Sequence, residues 1–389
     1  MKKGTRLFLL FLSILLVAAA FFQIRSSFPD IRLPLISRYI GNVKESPNGS
    51  RYKTYFFQLA PVEKQAYNLI LDEIYDMPER ILVPDLSENQ LDRVFKSLLN
   101  DNPDLIFLGR KCRLNSELWN TFISFDYIMT KEEYDKARSE MSLKRDLIIE
   151  SLSDLTDEFK TELEIHDYII GHCAYKLEED VYSYSSAYGA LVDGKAACEG
   201  YSKAAKYVFD KVGIESILVS GKASGDGRGD GDHMWNIVKI NGNYYHLDLT
   251  WDDPVSSNSS SSMSVHTYFN LTDDAIGINH SDFSYSPGCT ATDENYSIKN
   301  GLRFDNYSEK DNDKLRSLML KEYNSGERNI QISFVNKESY DKAFKALITN
   351  KKIYNVLGNV KSNRGNTFSE AVSGYYADDS FFTLTFIFR

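Results

Sequence analysis

Cysteine is scarce in this chain. Four residues, Cys112, Cys173, Cys198 and Cys289, are spread over 389 positions, with no C-x-x-C pair among them. That excludes a zinc ribbon and a disulfide-stapled mini-protein, and once one thiol is reserved for chemistry at most one disulfide can form; none is expected. The six histidines offer no H-E-x-x-H, and His166 and His172, six apart, do not share a helical face, so no metal centre is expected. Nine prolines are too few for a low-complexity chain, and ordinary apolar and charged fractions point to a folded one. Basic charge is also short: the net charge of −10 lacks the footprint that neutralises phosphates, which argues against a nucleic-acid partner.

Long apolar runs are absent but for one, Leu7 to Phe22, preceded by Lys2, Lys3 and Arg6 and followed by Gln23 and Arg25. A basic flank before such a run is an export signal. Its length fits a signal peptide, cleaved near Ala18 to Ala20, or an uncleaved membrane anchor, and either sends the chain beyond about residue 30 out of the cytoplasm. The expected organisation is 1–30 as signal or anchor, 31–160 as a mainly helical region, 161–300 as the catalytic domain and 301–389 as a small α/β domain.

Apolar spacings of three and four predict helices at Val62 to Met77 and Glu88 to Leu99, and a strand is expected over Trp119 to Met129. The charged stretch from Lys131 towards Tyr175 reads as one long helical support with a solvated face. After Ser183 short apolar segments alternate with Gly, Asn and Asp, which indicates mixed α and β structure. A polar Ser256 to Ser262 tract is expected to form a loop. In the tail the sequence predicts a strand over Ile330 to Val335, a helix over Tyr340 to Leu347 and a strand within Phe381 to Phe388.

Chemistry concentrates between these segments. Cys198 stands just before a helical pattern that stops at Gly213, where the positive end of the helix dipole favours a thiolate. The stretch His233 to Trp251 reads as two strands joined by Asn241-Gly242, the sequence of a tight hairpin. Pairing Ile240 with Asn243 places Trp235 opposite Asp248 and His233 opposite Thr250, so His233 and Asp248 share a face within reach of an imidazole–carboxylate hydrogen bond. A thiol, a base and the base's orienter are the parts of a Cys-His-Asp triad.

Ala187 to Tyr201 (AYGALVDGKAACEGY), Asp232 to Asn236 (DHMWN) and Leu247 to Trp251 (LDLTW) together resemble the core of the transglutaminase-like superfamily of bacterial exported proteins. The resemblance covers about residues 160 to 290. It implies an α+β, papain-like fold in which a helix-borne cysteine packs on an antiparallel sheet, with Cys198, His233 and Asp248 as catalytic residues and no cofactor. It implies a thiol-dependent acyl transfer on peptide or protein amides, hydrolytic as in cysteine peptidases and amidases, or crosslinking as in transglutaminases. Animal transglutaminases place a tryptophan before the nucleophile to stabilise the oxyanion; here the only upstream tryptophan, Trp119, is 79 residues away. The Cys198 N–H, helped by Tyr188, is the replacement expected, with Trp235 and Trp251 lining the neighbourhood.

Rival readings are weaker. Gly189 to Lys195 satisfies G-x-x-x-x-G-K, but Ala196 follows where a phosphate-binding loop has the Ser or Thr that holds magnesium. The Gly225 to Asp232 loop lacks the distal glutamate of an EF-hand and reads as the flexible lead into His233. A non-catalytic binding module on the same fold is disfavoured because all three triad residues are present.

Overall fold

The computed structural model describes residues 46, 48–117, 120–177, 182–225, 231–253, 265–283, 287–358, 367 and 371–389. The basic and apolar N-terminal segment, Trp119, most of the Gly225 to Asp232 loop and the Ser256 to Ser262 tract lie outside the described residues. No helix among the described residues is long and apolar enough to cross a membrane.

The fold is mixed α+β. Helix Pro61–Glu73 opens with proline at its first position and a Glu63 carboxylate accepting from the Ala60 N–H at 2.8 Å. Helix Glu88–Asp101 begins at Ser87, whose N–H donates to Gln90. Both match the expected helices. The region is less purely helical than the spacing suggested: β1 (Ile81–Val83), β2 (Leu108–Glu117) and β3 (Asn120–Tyr127) form an antiparallel sheet ordered β1-β3-β2. β2 escaped notice because its outer half is exposed and carries no apolar alternation.

The expected long helix is two. Lys131–Ser151 starts with a Thr130–Glu133 capping box, and Glu158–His172 starts at Asp157, whose carboxylate accepts from the Lys160 N–H. Between them Ser153 donates to Glu164 of the second helix and the Thr156 N–H donates to Asp154, bonds that draw the backbone out of the helix. The second helix is no solvated face, for it buries Glu162 and His166 completely.

β4 (Ala174–Tyr175) pairs in parallel with β5 (Lys195–Ala196), and between them Gly189–Asp193 winds into a single π turn rather than a phosphate cradle. Helix Cys198–Val212 follows and ends on Gly213 in the left-handed conformation. It packs against the antiparallel sheet β8-β7-β6-β9, made of β6 (Ser216–Ala223), β7 (Gly231–Ile240), β8 (Asn243–Leu247) and β9 (His280–Ser281). One apolar cluster runs from Phe56 to Phe269 without a break near residue 160, so the helical region and the segment after it share a core.

A second cluster, from Leu302 to Phe388, fills the tail. There β10 (Arg303–Phe304), β11 (Asn329–Phe334), β12 (Val372–Asp378) and β13 (Thr383–Phe388) form a sheet ordered β10-β11-β13-β12, covered by helices Asn312–Ser325 and Lys337–Phe344. The tail meets the core where Gln331 bonds both His266 and Thr267 and Phe381 packs on Tyr268.

Candidate active site

Asn241 and Gly242 both have positive φ, the requirement of a type I′ turn, and Ile240 pairs with Asn243 in the register that the turn dictates. The second strand is shorter than expected. It stops at Leu247, and Leu249–Asp252 forms one helical turn capped by Asp248, whose Oδ1 accepts from the Thr250 and Trp251 N–H groups at 3.0 and 3.2 Å. Aspartate is a strong helix cap, and here capping wins over strand pairing. The other oxygen, Oδ2, lies 2.6 Å from His233 Nε2. Cys198 is near enough to act on the His233 imidazole; with Nε2 turned to Asp248, Nδ1 is the nitrogen left for the sulfur.

Cys198 is the first residue of its helix and is partly exposed. Two further contacts fix that helix against β7. Ser202 Oγ donates to the Met234 carbonyl at 2.9 Å, and the buried Asn236 amide donates to the Ser202 carbonyl and to Ser216 Oγ, each at 3.0 Å. Asn236 thus ties the strand bearing His233 to the helix bearing Cys198. Gly200, beside the cysteine, admits the Tyr184 carbonyl: a Cβ there would sit 2.5 Å from that oxygen.

Electrostatics follow from burial and pairing. Burial disfavours the His233 imidazolium, but the Asp248 carboxylate and hydrogen bonds to Asp248 and Cys198 outweigh it and hold its pKa up at about 10. Asp248 is fully buried, which opposes ionisation, yet the His233 charge and hydrogen bonds to His233 and His280 keep its carboxyl well below the usual range. Trp235, wholly buried, stacks beside His233 at 5.9 Å between ring centres, and Trp251 lies 5.9 Å from the same ring. Tyr188 is placed elsewhere: its hydroxyl donates to Glu140 at 2.8 Å, so its proton is not directed at an oxyanion. All four cysteines are free thiols.

Sequence reasoning missed His280. Its Nε2 lies 3.0 Å from Asp248 Oδ2, the same oxygen that holds His233. It stands on a two-residue strand, and the only signal in the sequence was that histidines are few. His246 was missed as well. Its Nδ1 accepts from Trp235 Nε1 at 2.9 Å and its Nε2 faces Asp273 at 2.8 Å, so it fixes the tryptophan behind His233.

Among the described residues, three histidine–carboxylate groups have donor atoms within 4.8 Å of one another: His166, Asp167 and His266; His233, Asp248 and His280; and His246, Asp273 and Cys289. In each, protons already join the ligating atoms. His246 must carry its proton on Nε2, because Nδ1 accepts from Trp235, which leaves no lone pair towards Asp273. His166 faces carboxylates on both sides, Asp167 at 2.9 Å and Asp252 at 3.2 Å, so both its nitrogens donate.

Residues 146–249 match the transglutaminase-like superfamily, and this segment belongs to it. It holds Cys198, His233 and Asp248. Kyphoscoliosis peptidase of Mus musculus is 26% identical over 163 residues, which span 38% of this chain and 24% of that protein. The chain therefore covers about a quarter of the length of this curated relative. A solved structure of a TGase aligns over 51% of this chain and 56% of its own, at 17% identity and a TM-score of 0.29.

Proposed function

We propose that the chain is a thiol-dependent acyl-transfer enzyme acting outside the cytoplasm on amide bonds of peptides or proteins, with hydrolysis favoured over amine crosslinking. The observation that carries this reading is the single imidazole of His233 held between Cys198 and the buried Asp248 carboxylate. Cys198 Sγ attacks the carbonyl carbon of the amide, and its proton resides on His233. The developing oxyanion is met by the Cys198 N–H, an amide left free at the helix start. His233 gives its proton to the departing nitrogen as the C–N bond breaks, leaving an acyl-thioenzyme. Water, deprotonated by His233, then attacks the acyl carbon, the C–S bond breaks, and the thiol is restored.

Location outside the cytoplasm rests on the Leu7 to Phe22 run and its basic flank. Cell-envelope peptides and surface proteins are the amides within reach there. The preference for water rests on the want of a tryptophan shortly before Cys198 and on the polar Ser256 to Ser262 tract soon after Asp248.

The test is incubation of the purified chain with peptide and protein amides, with and without a labelled primary amine, read by mass spectrometry. Free acid should form, Cys198→Ala should abolish it, and His233→Ala should lower the rate about 10²- to 10⁴-fold. Wild-type turnover by Cys198→Ala would remove the assignment. Dominant amine incorporation would reverse the preference for water and leave the triad standing.

A further inference from the structure

Asp248 Oδ2 accepts from two imidazoles, His233 Nε2 at 2.6 Å and His280 Nε2 at 3.0 Å. A carboxylate oxygen can only accept, so His280 carries a proton on the nitrogen that faces it. The His280 side chain is fully buried. Its ring is walled by Trp251 and Trp235 at 4.8 and 4.9 Å between centres and meets His233 edge to face at 5.3 Å. On the far side its Nδ1 lies 2.7 Å from the Asn279 amide oxygen, and the Asn279 amide nitrogen donates to the Tyr268 hydroxyl at 2.7 Å. Backbone pairing of Ala223 with His280 and of Lys222 with Ser281 anchors this short strand on the edge of the sheet that carries His233.

We propose that His280 is a positioning residue of the candidate active site: its Nε2–H shares the Asp248 carboxylate with His233 and so sets how strongly Asp248 holds the His233 proton. This rests on the reading of Cys198, His233 and Asp248 given above. Asp248 does not need His280 to keep its orientation, because Oδ1 is fixed by the Thr250 and Trp251 N–H groups. What His280 supplies is competition for the negative charge. Without it, the whole charge of a buried carboxylate bears on His233, whose proton then leaves at higher pH. The other titratable groups facing His280 are His246, whose charge it opposes, and the Tyr268 ring at 5.8 Å; Lys222 and Asp282 pair at 3.7 Å on the exposed side.

Glutamine and asparagine separate the two ring nitrogens. The amide nitrogen of glutamine can occupy the place of Nε2, whereas asparagine is one carbon shorter and reaches only the place of Nδ1. The experiment is the pH–rate profile of Cys198 alkylation by iodoacetamide in the full chain, read on the Cys198 peptide by mass spectrometry, for wild type, His280→Gln, His280→Asn and His233→Ala. In His280→Asn the alkaline inflection should move up by about half a pH unit or more, and in His280→Gln it should return to the wild-type position. Profiles for both variants that overlay wild type would overturn the inference. Equal shifts in both would do so too, since they would point to ring shape rather than the Nε2 donor. A His233→Ala profile identical to wild type would instead sink the triad, a failure distinct from that of His280.

Discussion

A carboxylate accepts and never donates, and at Asp248 that asymmetry decides which nitrogen of His233 carries the proton. With Nε2–H fixed on Asp248, Nδ1 is the nitrogen turned to Cys198, and the proton given up by sulfur is held there. Asparagine at 248 would test this more sharply than alanine. Its oxygen can still cap the Leu249–Asp252 turn through the Thr250 and Trp251 N–H groups, while its amide nitrogen would face His233 as a donor and force the opposite tautomer. We expect Asp248→Asn to lower kcat/KM by at least about 10²-fold while the melting temperature changes by only a few degrees. Loss of fold in parallel with loss of rate would show that Asp248 serves structure first.

Glycine at 221 shows how an element places the site. Gly221 pairs with His233 across the sheet, and a Cβ there would come 2.6 Å from the Ser281 carbonyl and 2.8 Å from the Trp235 ring. Neither can yield cheaply: one is backbone of the strand bearing His280, the other a fully buried indole. Gly221→Ala should therefore destabilise the fold by about 1–3 kcal/mol and reduce turnover, because β9 must move. Thermal denaturation and steady-state kinetics on one preparation check it; unchanged stability would mean that β9 is free to shift. Much of this element was legible in the sequence. Asn241-Gly242 fixes the turn, the turn fixes the register, and the register puts His233 and Asp248 on one side. The end of β8 was not legible, since an aspartate that caps a turn looks like any strand residue until its N–H partners are known. Nor was His280, which arrives from a different part of the chain on a strand too short to have a pattern.

Across the whole molecule, buried titrating groups give the chain an alkaline weakness. Burial alone would discharge His166, but hydrogen bonds to Asp167 and Asp252 reverse that and hold its pKa up at about 9, above its ordinary 6.5. His233 is held up at about 10 by Asp248 and Cys198 against the same burial. A histidine whose folded pKa is raised contributes stability that is complete below 6.5 and is lost as pH rises through the folded value. Glu162 adds in the same direction: burial pushes its carboxyl up to about 8, so the folded state holds a proton that the unfolded chain releases near 4.5. Asp248 and Asp167, both held below their ordinary range, act in the opposite sense but only in acid, below about 4. Between pH 6.5 and 9 the net slope is therefore downward, on the order of 1 kcal/mol per pH unit for each histidine. Melting temperatures measured at pH 6, 7.5 and 9 should fall steadily. His166→Gln, which cannot titrate, should be less stable at pH 6 and show a shallower decline. A wild-type melting temperature that stays level or rises over this interval would mean that His166 and His233 are not held as imidazolium ions in the fold.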